Sequence, residues 1–239
     1  MVAIPARFES TRFPGKPLAD IFGKPMLQRV WERCVAAVGS EKVLVLTDDN
    51  RITALCDSIG AKFELVMDAC VTGTDRICKS RSLAGLDFVV NVQGDEPLVN
   101  PEHIRMTVSM MLDPNENIDV FNLMTRIANQ DEYLSLDVPK CVTNLSGELL
   151  YMSRAAIPGS KDGSFRDADR QVCVYGFSGK ALAQYVAHGT KTPLERAEDI
   201  EILRFLELGQ RVLMRRVEHA GPGIDRPNDI KKLNRDDFA

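Results

Sequence analysis

The first half of the chain alternates short β-type runs with stretches of helical periodicity, and this alternation constrains the fold more than any other feature. Residues 2–4 form a short apolar run, and residues 42–47, 62–66 and 87–92 read as strands. Between them, residues 25–38 place Met26, Leu27, Val30, Trp31, Cys34, Val35 and Val38 at helical spacing. Residues 51–59, 75–83 and 102–112 read as helices in the same way. A strand followed by a helix and then another strand favours parallel pairing, because the helix crosses over and buries its apolar stripe on the sheet. The expectation is an α/β fold with a mostly parallel sheet and helices on both faces.

The second half is richer in strands: 118–126, 140–143, 149–152 and 172–177. Asn144-Leu-Ser-Gly147 reads as a hairpin turn. The polar stretch 159–170 reads as a mobile loop. Residues 179–187 and 193–208 follow as helices, with Gly209 as a C-cap. Residues 211–216 read as a strand, and Asp225-Arg-Pro opens a helix over 227–233. With no internal repeat and no linker, the reading is one domain, 1–239, with a β-rich subdomain at about 138–180.

Composition narrows the function. Thirty Lys and Arg against 34 Asp and Glu give a net charge of −4, which argues against a general nucleic-acid binder. No apolar run is long enough to span a bilayer, and the start has no basic region followed by an apolar stretch, so neither a membrane nor a secretion signal is expected. Six cysteines without a CxxC pair then read as reduced thiols of a cytoplasmic protein. Only three histidines occur, His103, His188 and His219, with no pair at zinc spacing.

Chemistry concentrates in the loop after the first strand, IPARFESTRFPGKPL, residues 4–18. Arg7, Ser10, Thr11, Arg12 and Lys16 offer forked donors, a point charge and hydroxyls, a set suited to a polyphosphate. Prolines 5, 14 and 17 stiffen the loop. Charge alone is equally compatible with a solvated basic loop. Neither GxGxxG nor GxxxxGK[ST] occurs. A second signal, VQGDEP at 92–97, puts Asp95 at a strand end beside a glycine, as a magnesium ligand needs; a polar turn capping the next helix is the other reading. A third, GIDRPND at 223–229, contains Asp225, alone more simply an N-cap.

The first loop resembles the signature of the CMP-Kdo synthetase family, the 3-deoxy-manno-octulosonate cytidylyltransferases, which reads IPAR, two variable residues, STR, one variable residue and PGKPL. Gly23-Lys-Pro-Met26 continues the match, and further segments follow in order along nearly the whole chain. The resemblance implies a Rossmann-like fold, with dimerisation through the β-rich subdomain. It implies transfer of CMP from CTP to an acidic 3-deoxy sugar, with Arg7, Arg12 and Lys16 on the phosphates, Ser10 assisting, and Asp95 and Asp225 holding Mg²⁺. Ala6 joins that nucleotide site. Gly73-Thr-Asp-Arg76 is similar to the family's SGTER, which implies cytosine and ribose contacts from Thr74, Arg76 and Gln93.

On the acceptor side the resemblance implies Lys140, Arg154, Gln171, Tyr175, Glu198 and Glu201. Two positions depart from the family: Gln171 stands where a His is usual and Ile202 where a Gln is usual. A site that gives up a polar partner without replacing it rejects its former substrate strongly. Another acceptor, such as an 8-amino analogue, another ulosonic acid or a small anion, is therefore the alternative reading. A CTP-binding regulator without turnover is the third. The family also carries three or four more residues ahead of its first strand.

Overall fold

The structure, a computed structural model, describes residues 1–10, 12–218, 220–221 and 223–238. Thr11 of the first loop and His219 lie outside the described residues.

The strands are β1 Val2–Pro5, β2 Asp20–Ile21, β3 Lys24–Pro25, β4 Val43–Thr47, β5 Phe63–Leu65, β6 Phe88–Val92, β7 Val120–Arg126, β8 Lys140–Thr143, β9 Leu149–Ser153, β10 Asp169–Ser178 and β11 Val212–Val217. The helices are α1 Met26–Val38, α2 Asn50–Ile59, α3 Gly73–Lys79, α4 Pro101–Leu112, α5 Gln130–Leu134, α6 Gly179–His188, α7 Pro193–Glu198, α8 Ile202–Glu207 and α9 Pro227–Ile230. Seven strands run across the main sheet in the order β11-β7-β10-β6-β1-β4-β5. β1 is parallel to both β4 and β6, β4 to β5, and β7 to β11. β10 is the exception, antiparallel to β6 on one side and β7 on the other. It joins the two parallel groups. The β8–β9 hairpin continues from the start of β10, so the strands of 140–178 belong to the same sheet.

Strand alternation sorts the core onto two faces. Val2 and Ile4 of β1, Val43 and Val45 of β4 and Val90 and Val92 of β6 pack with Leu27, Val30 and Cys34 of α1, Ile52 of α2 and Ile104 of α4. The intervening Ala3, Leu44, Leu46 and Val89 face Ile77 of α3 on the other side. Farther along, Val120, Met124, Val212 and Met214 meet Ala181 and Tyr185 of α6 and Leu203 and Phe205 of α8. Helices therefore cover both faces.

The longer elements follow the sequence, while the short β2–β3 pair and α5 were not expected; boundaries shift where side chains compete with the pattern. α3 starts at Gly73, two residues before the expected start, because Thr72 and Asp75 form a reciprocal capping box. It stops at Lys79. The helix expected over 193–208 is two helices, α7 and α8. Asp199 adopts the left-handed conformation (φ 52°) between them, its N–H bonded to the Glu195 carbonyl. Ile200 and Ile202 are both buried. Two positions apart, they do not share one face of a straight helix, so the break lets both reach the core. The Asn144–Gly147 turn closes the β8–β9 hairpin, and the Gly147 carbonyl accepts the Met214 N–H at 2.8 Å.

No helix among the described residues is long and apolar enough to cross a membrane. All six cysteines are unpaired by disulfides.

Candidate active site

The chain leaves β1 toward β4 and β5 and later returns to β6 on the opposite side of β1. The strand order reverses between β1 and β6, the place where open α/β sheets bind ligands at their carboxyl ends. A cleft of about 660 Å³ opens there.

The first loop forms one wall. Ala6 donates its N–H to the Leu46 carbonyl (2.8 Å), tying the loop's start to β4. Gly15 closes the loop by donating to the Phe8 carbonyl at 2.9 Å. It does so at φ +71°, where a Cβ would stand 3.0 Å from the Phe8 ring, so only glycine fits without strain. Ser10 Oγ accepts the Phe13 N–H at 3.3 Å. Arg7, Ser10, Arg12 and Lys16 all line the cleft, with Ala6 beneath them. Arg7 is exposed.

The two candidate metal carboxylates meet at one cation. Lys16 Nζ lies 2.5 Å from Asp95 Oδ2 and 3.7 Å from Asp225 Oδ1, and donates to the Ile224 carbonyl at 2.9 Å. Arg12 reaches Asp225 at 3.1 Å. The pairing is built by backbone: the Ile224 N–H donates to the Asp95 carbonyl (3.1 Å), while the Ile224 side chain is buried beside Ile21, Met26 and Leu233. The N-cap reading of Asp225 fails. Asp229 serves that end instead, accepting from the N–H groups of Asp225 (3.2 Å) and Arg226 (2.9 Å). Asp225 is thereby left to face Arg12 and Lys16. Two carboxylates converging on an ammonium, with open cleft beyond, fit a cation that takes its other ligands from phosphate and water, as Mg²⁺ does. Among the described residues no cluster of three or more His, Cys, Asp or Glu gathers at cation distance.

Gly94 lets β6 approach β1: a Cβ there would lie 3.0 Å from the Pro5 carbonyl. Next in chain, Glu96 turns inward under Gly223, where an added Cβ would sit 2.8 Å from its carboxylate. Burial and then the neighbouring Asp95 charge push the Glu96 carboxyl up to about 8. The folded protein therefore keeps a proton that the unfolded chain releases near pH 4.3. Stability of the metal-free protein is expected to fall as pH rises from about 4.5 to 8 and to level off above that. Thermal melts in chelator across this range check it, with Glu96→Gln expected to flatten the slope.

Among the residues expected to contact cytosine and ribose the placements divide. Gln93 lines the cleft beside Thr72 and Gly73. Arg76 touches the wall, but its guanidinium is spent: it is 3% exposed, pairs with Asp48 at 2.6 Å and donates to the Val66 carbonyl. Thr74 is buried outside the lining, and its N–H donates to Glu201 Oε2 at 3.2 Å. Asp75 accepts the N–H groups of Val71 and Thr72 and is a helix cap.

The acceptor-side residues separate more widely. Arg154 lines the cleft. Lys140 is fully buried, its ammonium donating to the Ser135 and Arg154 carbonyls. Gln171 is buried against Asn122 (3.3 Å). Tyr175 stacks on Phe177. None of these three lines the cleft. The carboxylates of Glu195, Glu198 and Glu201 do not converge: the break at Asp199 separates Glu201 from the other two, and within α7 Glu195 turns to Arg204 while Glu198 turns to β9. Glu195 is buried and takes a two-pronged contact from Arg204 at 2.6 and 2.7 Å. Glu198 accepts from Ser153 Oγ (2.6 Å) and the Arg154 N–H (2.9 Å). Glu201 lines the cleft, and burial raises its carboxyl above the ordinary range. Ile202 is buried in the core.

Four residues at or behind the cleft escaped the sequence reading. Asp137, Lys191 and Asp199 line it. Tyr185 shares a hydrogen bond with Thr72 Oγ1 at 3.0 Å. A continuous helix over 193–208 hides Asp199 as one more surface position. Lys191, directly ahead of Thr192-Pro193, was the available signal: a cation at a helix entrance, where the dipole disfavours it, needs another reason to be there.

Comparison with known proteins gives the same picture. Residues 1–214 match the cytidylyltransferase family. The 3-deoxy-manno-octulosonate cytidylyltransferase of Geobacter sulfurreducens is 40% identical, covering 96% of each chain. That of Zea mays is 38% identical over 96% of this chain and 78% of its own. A CMP:2-keto-3-deoxy-manno-octonic acid synthetase solved with CTP superposes with a TM-score of 0.88 at 32% identity, covering 97% of this chain and 95% of the other. HddC from Yersinia pseudotuberculosis, at 14% identity and a TM-score of 0.68, shares the fold. The chain belongs to the cytidylyltransferases, and within them to the 3-deoxy-manno-octulosonate cytidylyltransferase family.

Proposed function

We propose that this chain transfers CMP from CTP to the anomeric hydroxyl of Kdo, the 3-deoxy-manno-octulosonate acceptor named for its relatives, releasing pyrophosphate. One observation carries the reading. The cations of the first loop line one cleft with Asp95, Gln93 and the Thr72–Gly73 turn, and Asp225 joins them through Arg12 and Lys16. That set offers partners to a triphosphate, a ribose and a base.

Arg7 and Arg12 supply forked donors to the triphosphate oxygens. Lys16 supplies a compact charge and Ser10 a hydroxyl. The Gly15–Phe8 hydrogen bond and the loop prolines hold these groups close together, so that they neutralise charge developing at the α-phosphate and on leaving pyrophosphate. Gln93, with both a donor and an acceptor, meets the cytosine edge. Ala6 holds the loop backbone at the nucleotide. Arg76 and Thr74 act behind this surface by fixing the start of α3. Asp95 and Asp225 would hold Mg²⁺, which would neutralise phosphate charge and lower the pKa of an attacking hydroxyl. Binding nucleotide requires Lys16 to leave Asp95 for phosphate. Arg154 and Glu201 border the acceptor, with Glu198 fixing Arg154.

Gln171 and Ile202 were the sequence grounds for a different acceptor. Both side chains lie outside the cleft lining, Gln171 against Asn122 and Ile202 in the core, which supports the Kdo reading over another acceptor. Pyrophosphate release with CTP and Mg²⁺ against Kdo, its 8-amino analogue and sialic-type acids tests the reading. Release with Kdo is the expected result. Release only with another acid moves the acceptor, and CTP binding with silence across the panel favours a regulator.

We also propose a homodimer and a cytoplasmic setting. Leu145 and Leu150 stand exposed on the β8–β9 hairpin, an apolar surface suited to a second copy. The six free cysteines fit a reducing compartment. Light scattering at micromolar protein checks the dimer.

A further inference from the structure

Arg154 is the cation the family pattern points to for an anionic acceptor, yet its donors are largely committed. Nε donates to the Glu198 carbonyl (2.6 Å), Nη1 to Leu136 (2.9 Å) and Nη2 to Asp199 (3.1 Å). It fastens the α7–α8 break to the segment before β8. The second cation on that wall, Lys191, has a single side-chain partner among the described residues, Asp199 Oδ1 at 2.5 Å. Both line the cleft. The Lys191 side chain is 26% exposed and that of Asp199 is 76% exposed.

Asp199 is presented from the left-handed residue between two short helices. The Lys191 ammonium, with the charges of Arg154 and Arg12 beyond it, holds its carboxyl below the ordinary range. Asp199 is an exposed carboxylate gathered by cations at the cleft wall, a setting whose charge equally suits a carboxylate brought by a ligand. An ammonium with three donors and one exposed partner is free to exchange that partner.

We infer that Lys191 anchors the carboxylate of the acceptor sugar, exchanging Asp199 for it. The inference rests on the reading of the acceptor as an acidic sugar and adds the residue that recognises its acid. Two consequences have opposite signs. Lys191→Met removes the anchor, and the acceptor KM is expected to rise about tenfold to a hundredfold, the worth of a charge-assisted hydrogen bond. Asp199→Asn keeps a residue tolerant of the left-handed conformation and removes the competing charge, so the acceptor KM is expected to fall. The CTP KM stays unchanged in both.

The experiment is steady-state pyrophosphate release by the full chain with Kdo and with the methyl ester of Kdo. The parent should bind the ester more weakly, and Lys191→Met should bind acid and ester alike. An unchanged acceptor KM in Lys191→Met overturns the inference, as does an equal rise in both KM values or a rise in Asp199→Asn. Those results leave the activity standing, because the parent still turns over Kdo. A parent silent toward Kdo overturns both.

Discussion

Replacing Asp95 by Asn is expected to lower pyrophosphate release about a thousandfold with no loss of the folded state. The change removes one of the two carboxylates proposed to hold Mg²⁺, and charge stabilisation of this kind is worth several kcal/mol, roughly 4 kcal/mol for a thousandfold. The fold survives because the structural contact of Asp95 is its backbone carbonyl, which still accepts the Ile224 N–H. Its side chain is 34% exposed, and its ion pair to Lys16 is one that substrate would break. CTP binding by calorimetry separates the two effects: affinity in the absence of Mg²⁺ should be kept or improved, since Lys16 is freed, while dependence on added Mg²⁺ should weaken. Activity within tenfold of the parent would remove Asp95 from the reacting centre.

The largest loss of stability is expected from Arg204→Met. Arg204 and Glu195 are 3% and 0% exposed at the side chain, joined by two short hydrogen bonds, and the guanidinium lies 3.8 Å from the Tyr185 ring centroid. Methionine leaves a buried carboxylate without its partner, a cost of about 3–5 kcal/mol. For a chain of this size that is a melting shift on the order of 10 °C. Adding Glu195→Leu to the same chain should recover most of it, because a buried pair exchanged for apolar residues is often neutral. The single variant should also raise the CTP KM: Tyr185, which Arg204 stacks on, holds Thr72 in the cleft lining. A melt unchanged from the parent would show that Glu195 finds another partner.

The strands and helices of the first half were legible because each repeats a simple period and stands apart from its neighbours. The gathering of Arg7, Ser10, Arg12 and Lys16 at one cleft was legible because these residues are close together in sequence. Asp225 was not legible from local pattern, since an Asp two positions before a proline is the ordinary opening of a helix. Only the backbone hydrogen bond to Asp95 and the substitute cap from Asp229 give its carboxylate another task. Lys140 and Arg76 fail in the opposite direction. Each is a charged residue in a motif, and each is buried against carbonyls or an opposite charge. A one-dimensional motif does not distinguish a side chain that touches ligand from one that holds the ligand's neighbour. The break at Asp199 was hidden for a third reason: helical spacing of Leu194, Ile202 and Phe205 survives a single left-handed residue, so periodicity reads straight through it.

The hydrogen bond from the Ile224 N–H to the Asp95 carbonyl has a consequence for the newborn chain. The sheet can assemble once β11 has left the ribosome, but the second acidic arm of the reaction centre arrives only with residues 223–229. Until then Lys16 has only Asp95 opposite it and Arg12 lacks its contact to Asp225, so this corner of the cleft is the last part of the molecule to be completed, after every strand of the sheet has been made.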